Sequence, residues 1–255
     1  MAGINTFYKF CVDGNISKLI ETLLLAAEIY QEPRYRQSAI KGGEFFLLAQ
    51  MPDPQPGWAQ QYSKDMHPVW ARKFEPPAIT GGESQGVMDS LLDLARETGE
   101  GKFLAPFPKA LAYYKKSRLP DGQLARFYEL KTNRPLYFTK DYRLTYSDDD
   151  LPTHYGFKVG SGTLSRLEKE YERLTNSDRS QWRIERTQKT PKMSNSLKDR
   201  AQKLLADMDD RGAWVEHGEL KYHRDAEDVR EIIDPKTFAK NIQTLAEFLA
   251  ASPSK

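Results

Sequence analysis

Within residues 56–86, Trp58, Tyr62 and Trp70 stand beside Arg72 and Glu75 in a stretch broken by Pro56, Pro68, Pro76 and Pro77. The prolines forbid one continuous helix, so these side chains are carried on irregular backbone. Aromatic rings next to a guanidinium can hold a sugar ring and an anionic group together. The ring face covers apolar C–H surface while Arg forks onto a carboxylate. The pattern reads as a site for an acidic saccharide. The other reading is a long loop between two helices whose aromatics fill a core.

Composition does little to choose between them. The 38 basic and 36 acidic side chains leave a formal charge of +2, so no global field argues for nucleic acid, and any attraction for an anion is local. The single cysteine, Cys11, excludes an internal disulfide and a cysteine-based zinc site. No basic segment followed by an apolar one opens the chain, and no apolar run approaches a membrane span. The length is enough to bury one sizeable core, and a single domain over 1–255 is expected.

Helices must position the loop. Ile16, Leu19, Ile20, Leu23, Leu24 and Ala27 recur at three and four, which predicts a helix over about 16–30 with Asp13 or Asn15 as cap. A second is predicted over 33–50, a third from about Ser84 to Thr98, a fourth over 103–117, a fifth over 197–208, and a last over 235–250 capped by Asp234. Residues 16–50 and 84–117 look like two copies of one helical hairpin, with a weak third copy at 243–249. Repeated helical pairs bury their faces by stacking, so the expected architecture is all-α, an incomplete α/α toroid of hairpins with long loops and a few short strands. A short strand pair is expected about Asn133-Arg134-Pro135. Asp148-Asp149-Asp150 lacks EF-hand spacing and reads as a solvated turn. Residues 175–196, poor in apolar groups, read as a mobile excursion.

Three blocks in order carry a resemblance. They are Trp70-Ala71-Arg72-Lys73-Phe74-Glu75-Pro76-Pro77, Gly81-Gly82-Glu83-Ser84-Gln85-Gly86 and Ala125-Arg126-Phe127-Tyr128-Glu129-Leu130-Lys131-Thr132-Asn133-Arg134-Pro135. Together they resemble the family 10 pectate lyases over roughly residues 13–249. The resemblance implies a catalytic domain whose front precedes residue 1. It also implies calcium-assisted β-elimination on polygalacturonate, the proton at C5 being removed and the oxygen at C4 expelled. Calcium and arginines would neutralise the carboxylate beside C5.

By the same resemblance Arg72 stands where the family has its base, although a guanidinium has no acceptor until it loses a proton. Its structural alternative is an ion pair with Glu75. Asp13 matches a calcium-binding aspartate, with plain helix capping as the alternative. Arg126 and Arg134 match arginines that hold substrate carboxylates, with surface charges on a hairpin as the alternative. Asn133 would position Arg134 through its turn, and Trp70 and Tyr128 are candidates either to stack on sugar rings or to pack in the core. Lys73, Glu75 and Glu83 complete the set. Where the family has an aspartate after an Ala-Gln pair, this chain has Tyr62-Ser63, with Asp65 its next carboxylate. Pectate lyases of this family act outside the cytoplasm, which implies a secreted or periplasmic monomer with pectate as partner and neither nucleic acid nor membrane. Two readings compete with the lyase: a truncated, inactive relative that binds acidic saccharide, and a helical scaffold that binds protein.

Overall fold

The computed structural model describes residues 10–11, 14–183, 191–218 and 231–252. The chain divides into two compact units, residues 1–184 and 185–255.

In the first unit the order is β1 (Phe10–Cys11), α1 (Asn15–Tyr30), α2 (Pro33–Ala49), β2 (Gln61–Tyr62), β3 (Ala78–Thr80) and α3 (Glu83–Thr98). A 3-10 turn (Gly101–Leu104), α4 (Phe107–Lys116), β4 (Leu124–Ala125), β5 (Phe127–Glu129), β6 (Pro135–Phe138) and β7 (Leu144–Thr145) follow. β8 (Lys158–Val159), α5 (Gly162–Thr175) and a second 3-10 turn (Arg179–Gln181) complete it. The second unit holds α6 (Asn195–Ala206), β9 (Glu216–His217), β10 (Glu231–Ile232) and α7 (Pro235–Ala251).

The helices begin and end where their sequence allows. Pro33 and Pro235 each open a helix at a position with no intrahelical N–H to lose. Asp234 caps α7 by accepting from the N–H groups of Lys236 and Thr237. Gly99 closes α3 in the left-handed conformation, φ 73°. The predicted helix over 103–117 is shorter than expected. Pro106 and Pro108 fall inside the predicted span, and the regular helix starts only at Phe107.

The all-α expectation is overturned. β3, β5, β6 and β7 form a four-stranded antiparallel sheet, and β1–β2, β4–β8 and β9–β10 form three antiparallel pairs. Two errors explain the miss. Ala78-Ile79-Thr80 lies between Pro76-Pro77 and Gly81-Gly82, which made a buried strand look like loop. The pair expected about Asn133 is only the centre of the larger sheet. The hairpin repeat fails with it, because α3 packs chiefly on α1, α2, α5 and the first 3-10 turn, while α4 packs on α5.

One core joins the helices to Trp58, Tyr62, Ala59 and Ile79, and a smaller one lies on the sheet around Phe127, Leu136, Phe138 and Phe157. Trp58 donates its indole N–H to the Phe46 carbonyl, and the Tyr62 hydroxyl donates to the Ala49 carbonyl. These two aromatics of the 56–86 stretch are therefore core, pinning it against α2. Within 175–196, Trp182 is buried in the same core, and residues 184–190 of that span lie outside the described residues. Among the described residues no helix is long and apolar enough to cross a membrane.

Candidate functional site

The 68–77 segment reaches β3 by a tight turn in which Glu75 N–H donates to the Arg72 carbonyl and Ala71 N–H to the Glu75 carbonyl. That turn folds the Glu75 side chain inward, where it is 3% exposed as a residue. Its carboxylate accepts from Gln60 Nε2 at 3.3 Å and from the Arg72 N–H at 3.3 Å, and Arg72 Nη1 lies 3.5 Å away. The Arg72 side chain is otherwise 66% exposed. Glu75 thus anchors the base of the arginine while its guanidinium reaches outward. The ion pair offered as a structural alternative for Arg72 is present, and it leaves most of that side chain accessible.

Arg126 precedes β5 and meets Glu83, the first residue of α3. Its Nη2 donates to Glu83 Oε1 at 2.5 Å. Gly81 makes the approach possible, because its N–H donates to the Arg126 carbonyl at 3.0 Å and a Cβ there would collide with the Ala125 carbonyl oxygen. Glu83 is 8% exposed in its side chain, Arg126 24%. Burial raises the pKa of Glu83, and the attraction of Arg126 does not fully offset it. Both line an open groove of about 620 Å³ that also has Lys18, Glu21 and Asp89 on its walls.

Tyr155 connects the two arginine centres. The Arg126 guanidinium lies over its ring at 4.5 Å, and Phe74 packs against the same ring with centroids 4.4 Å apart. Burial pushes the Tyr155 phenol up, Arg126 pulls it down, and Glu83 and Glu75 push up again, so one hydroxyl senses the charges of both centres. On the exposed side of the segment, Trp70 is 43% exposed and packs edge-on to Phe138 of β6 at 6.1 Å. Lys73 is exposed, with its ammonium 5.7 Å from the Tyr142 ring centroid.

Asn133 and Arg134 form the turn between β5 and β6. Asn133 takes φ 59°, a conformation Asn tolerates, and its amide accepts from Tyr113 and Gln55 and donates to Ser117. The turn therefore holds Arg134 in place, at the opposite end of the β5–β6 hairpin from Arg126. Tyr128 is a correction. It is 1% exposed, and its hydroxyl donates to the Ser117 carbonyl and accepts from the Ala125 N–H. Its face in the sheet points into the main core, so it has no surface to offer a sugar.

Asp13 lies outside the described residues, and the N-cap of the helix that follows is Gly14, φ 78°, with no side-chain cap. Among the described residues no group of three or more His, Cys, Asp or Glu side chains could hold a metal ion. Asp148 and Asp150 are engaged by Lys158 and Lys140.

Sequence reasoning left Gln60, Tyr146 and Tyr155 out of the site. Gln60 sat in the 56–86 stretch and had no charge to draw notice. The two tyrosines lie in a segment without periodicity or motif, and only tertiary packing brings them to the arginines.

No family model matches the chain, and no curated protein matches it. Among solved structures it is similar to a family 10 polysaccharide lyase from Cellvibrio cellulosa, at 19% identity and a TM-score of 0.52, over 64% of this chain and 62% of that one. The chain thus spans less than two thirds of the length of that structure. At this identity the likeness is one of fold: over the matched span the chain has a polysaccharide-lyase-like fold.

Proposed function

We propose that the chain is a pectate lyase that cleaves polygalacturonate by β-elimination, with Arg72 as the base. The C5–H bond breaks with its proton going to neutral Arg72 and its electron pair forming the C4=C5 double bond. The C4–O bond breaks with its electron pair going to the departing sugar, and that oxygen takes a proton from solvent. The product is an unsaturated uronide with no water added.

The observation that carries this reading is the anchoring of two arginines by two buried glutamates. Arg72 is held by Glu75 and Arg126 by Glu83, Arg126 lies over the Tyr155 ring whose hydroxyl feels both carboxylates, and the half-exposed Trp70 stands two residues before Arg72. Buried carboxylates fix the arginines, leaving Arg72 largely exposed and Arg126 about a quarter exposed at the groove, which suits guanidinium groups that must meet a substrate carboxylate in a set geometry. The proposed roles are Arg126 and Arg134 on substrate carboxylates, Trp70 as stacking surface, and Lys73 as an outer cation. Asn133 and Glu75 serve as supports. A guanidinium accepts a proton only after losing one, so Arg72 acts as base in its neutral form.

Calcium belongs to the proposal through the resemblance, with Asp13 as its one named ligand. The proposal also takes the protein as a monomer acting outside the cytoplasm, on pectate and not on nucleic acid or membrane.

One observation favours a second reading. Arg72 already faces a carboxylate, Glu75, at 3.5 Å, so a protein that binds acidic saccharide without cleaving it is the alternative. Ultraviolet absorbance of the unsaturated uronide separates them, measured on polygalacturonate with added calcium, with a chelator, and with Arg72→Ala. A rise that vanishes in Arg72→Ala supports the lyase, and its sensitivity to chelator reads the calcium requirement. A folded wild type that binds oligogalacturonate and gives no rise supports the binding protein.

A further inference from the structure

We propose that Tyr146 is a substrate-positioning residue, which holds Arg134 as a rigid fork for one carboxylate of an acidic saccharide; this rests on the saccharide reading above. The Arg134 guanidinium carbon lies 3.4 Å from the centroid of the Tyr146 ring, at van der Waals contact with its face. An arginine on an exposed turn otherwise samples many rotamers, and each loses entropy when a ligand selects one. Stacking on an aromatic face keeps the guanidinium charged and planar while leaving its N–H edge free.

The ring is itself fixed. Tyr146 donates its hydroxyl to Glu129 Oε1 at 2.6 Å, and the Thr132 hydroxyl donates to Glu129 Oε2. Both oxygens of Glu129 are thus engaged in holding the ring and the turn, and neither is hydrogen-bonded to Arg134. The sheet register explains the arrangement. Glu129 N–H donates to the Arg134 carbonyl at 2.8 Å, so the two residues face each other, and Tyr146, the residue after β7, continues the register opposite Leu136, two positions from Arg134 on the same face.

Arg72 and Arg126 each have a buried glutamate as ion-pair partner, whereas among the described residues no carboxylate is hydrogen-bonded to Arg134. That leaves the Arg134 fork open to an external carboxylate, with Glu129 acting on it through charge alone. Tyr146 is 45% exposed, so its removal opens no core cavity.

The test is calorimetric titration of the whole chain with trigalacturonate and with its methyl ester. Tyr146→Ala is expected to weaken trigalacturonate binding by about threefold to tenfold and to leave binding of the neutral ester unchanged. Tyr146→Phe, which keeps the ring, is expected to recover most of the loss. Tyr146→Ala added to Arg134→Ala is expected to cost nothing further, because the tyrosine acts through the arginine. Equal trigalacturonate affinity in wild type and Tyr146→Ala, or equal loss for acid and ester, overturns the assignment of Tyr146 alone. A wild type that binds neither saccharide overturns the saccharide reading and this inference with it.

Discussion

Arg126 Nη2 donates to Glu83 Oε1 across 2.5 Å, while the other carboxyl oxygen, Glu83 Oε2, is buried without a hydrogen-bond partner among the described residues. The carboxyl therefore depends on a single arginine. Breaking a buried pair from one side strands a charge in a poorly solvated place. Arg126→Ala is expected to lower stability by about 2 to 3 kcal/mol, toward the low side because the arginine keeps some exposure. Adding Glu83→Gln should return part of that loss. Urea denaturation of the two single variants and the double variant measures the coupling, and strict additivity contradicts it.

Glu83 also sets a pH signature. Its pKa is raised by burial, against the pull of Arg126. A carboxyl raised on folding binds its proton more tightly in the folded state. Its contribution to stability therefore falls as pH climbs from the unfolded carboxylate range, about 4.3, through its folded pKa, and is constant above. In Glu83→Gln this titration is gone, so stability of the variant minus that of wild type should rise across the window and then level. Glu170 gives the opposite sign. Hydrogen bonding from Arg173 lowers its pKa, so its stabilisation is present above the unfolded range and lost as pH falls through the folded value. Thermal melts of Glu83→Gln between about pH 4 and about pH 8, and of Glu170→Gln between about pH 2 and about pH 5, each against wild type, test the pair of slopes, and slopes of the same sign in the two would refute the assignment.

Gly81 is expected to be irreplaceable for a reason of space. A Cβ there meets a backbone carbonyl, that of Ala125, together with the Leu124 Cβ at 2.9 Å, and neither can move aside as a flexible side chain would. Gly81→Ala should cost about 1 to 3 kcal/mol and weaken acidic-saccharide binding by shifting Arg126 from Glu83. Gly86→Ala is the control, since a Cβ at Gly86 meets nothing within 4 Å. Equal melting temperatures for the two variants would count against a close approach at Gly81.

Much of the helical part was legible. Ile20 and Leu24, read from the three-four spacing, are buried, and Pro33, Gly99 and Asp234 mark helix ends as their chemistry predicts. Of the sheet only the central β5–β6 pair was legible, because β3 and β7 hold three and two residues and show no alternation to read. In the candidate site, Arg72 and Glu75 were legible as neighbours three apart. Arg126 and Glu83 are 43 residues apart in sequence, and nothing local predicts their pairing. Tyr128 misled because an aromatic beside arginines looks the same in sequence whether it faces a ligand or, as here, the core.

The most direct test of the lyase reading is the mass of the products released from trigalacturonate. Elimination conserves mass, so the account predicts one product lighter by a water than the saturated oligomer of the same length, formed by wild type and absent with Arg72→Ala. Products that carry an added water, or unsaturated product undiminished in folded Arg72→Ala, would contradict it.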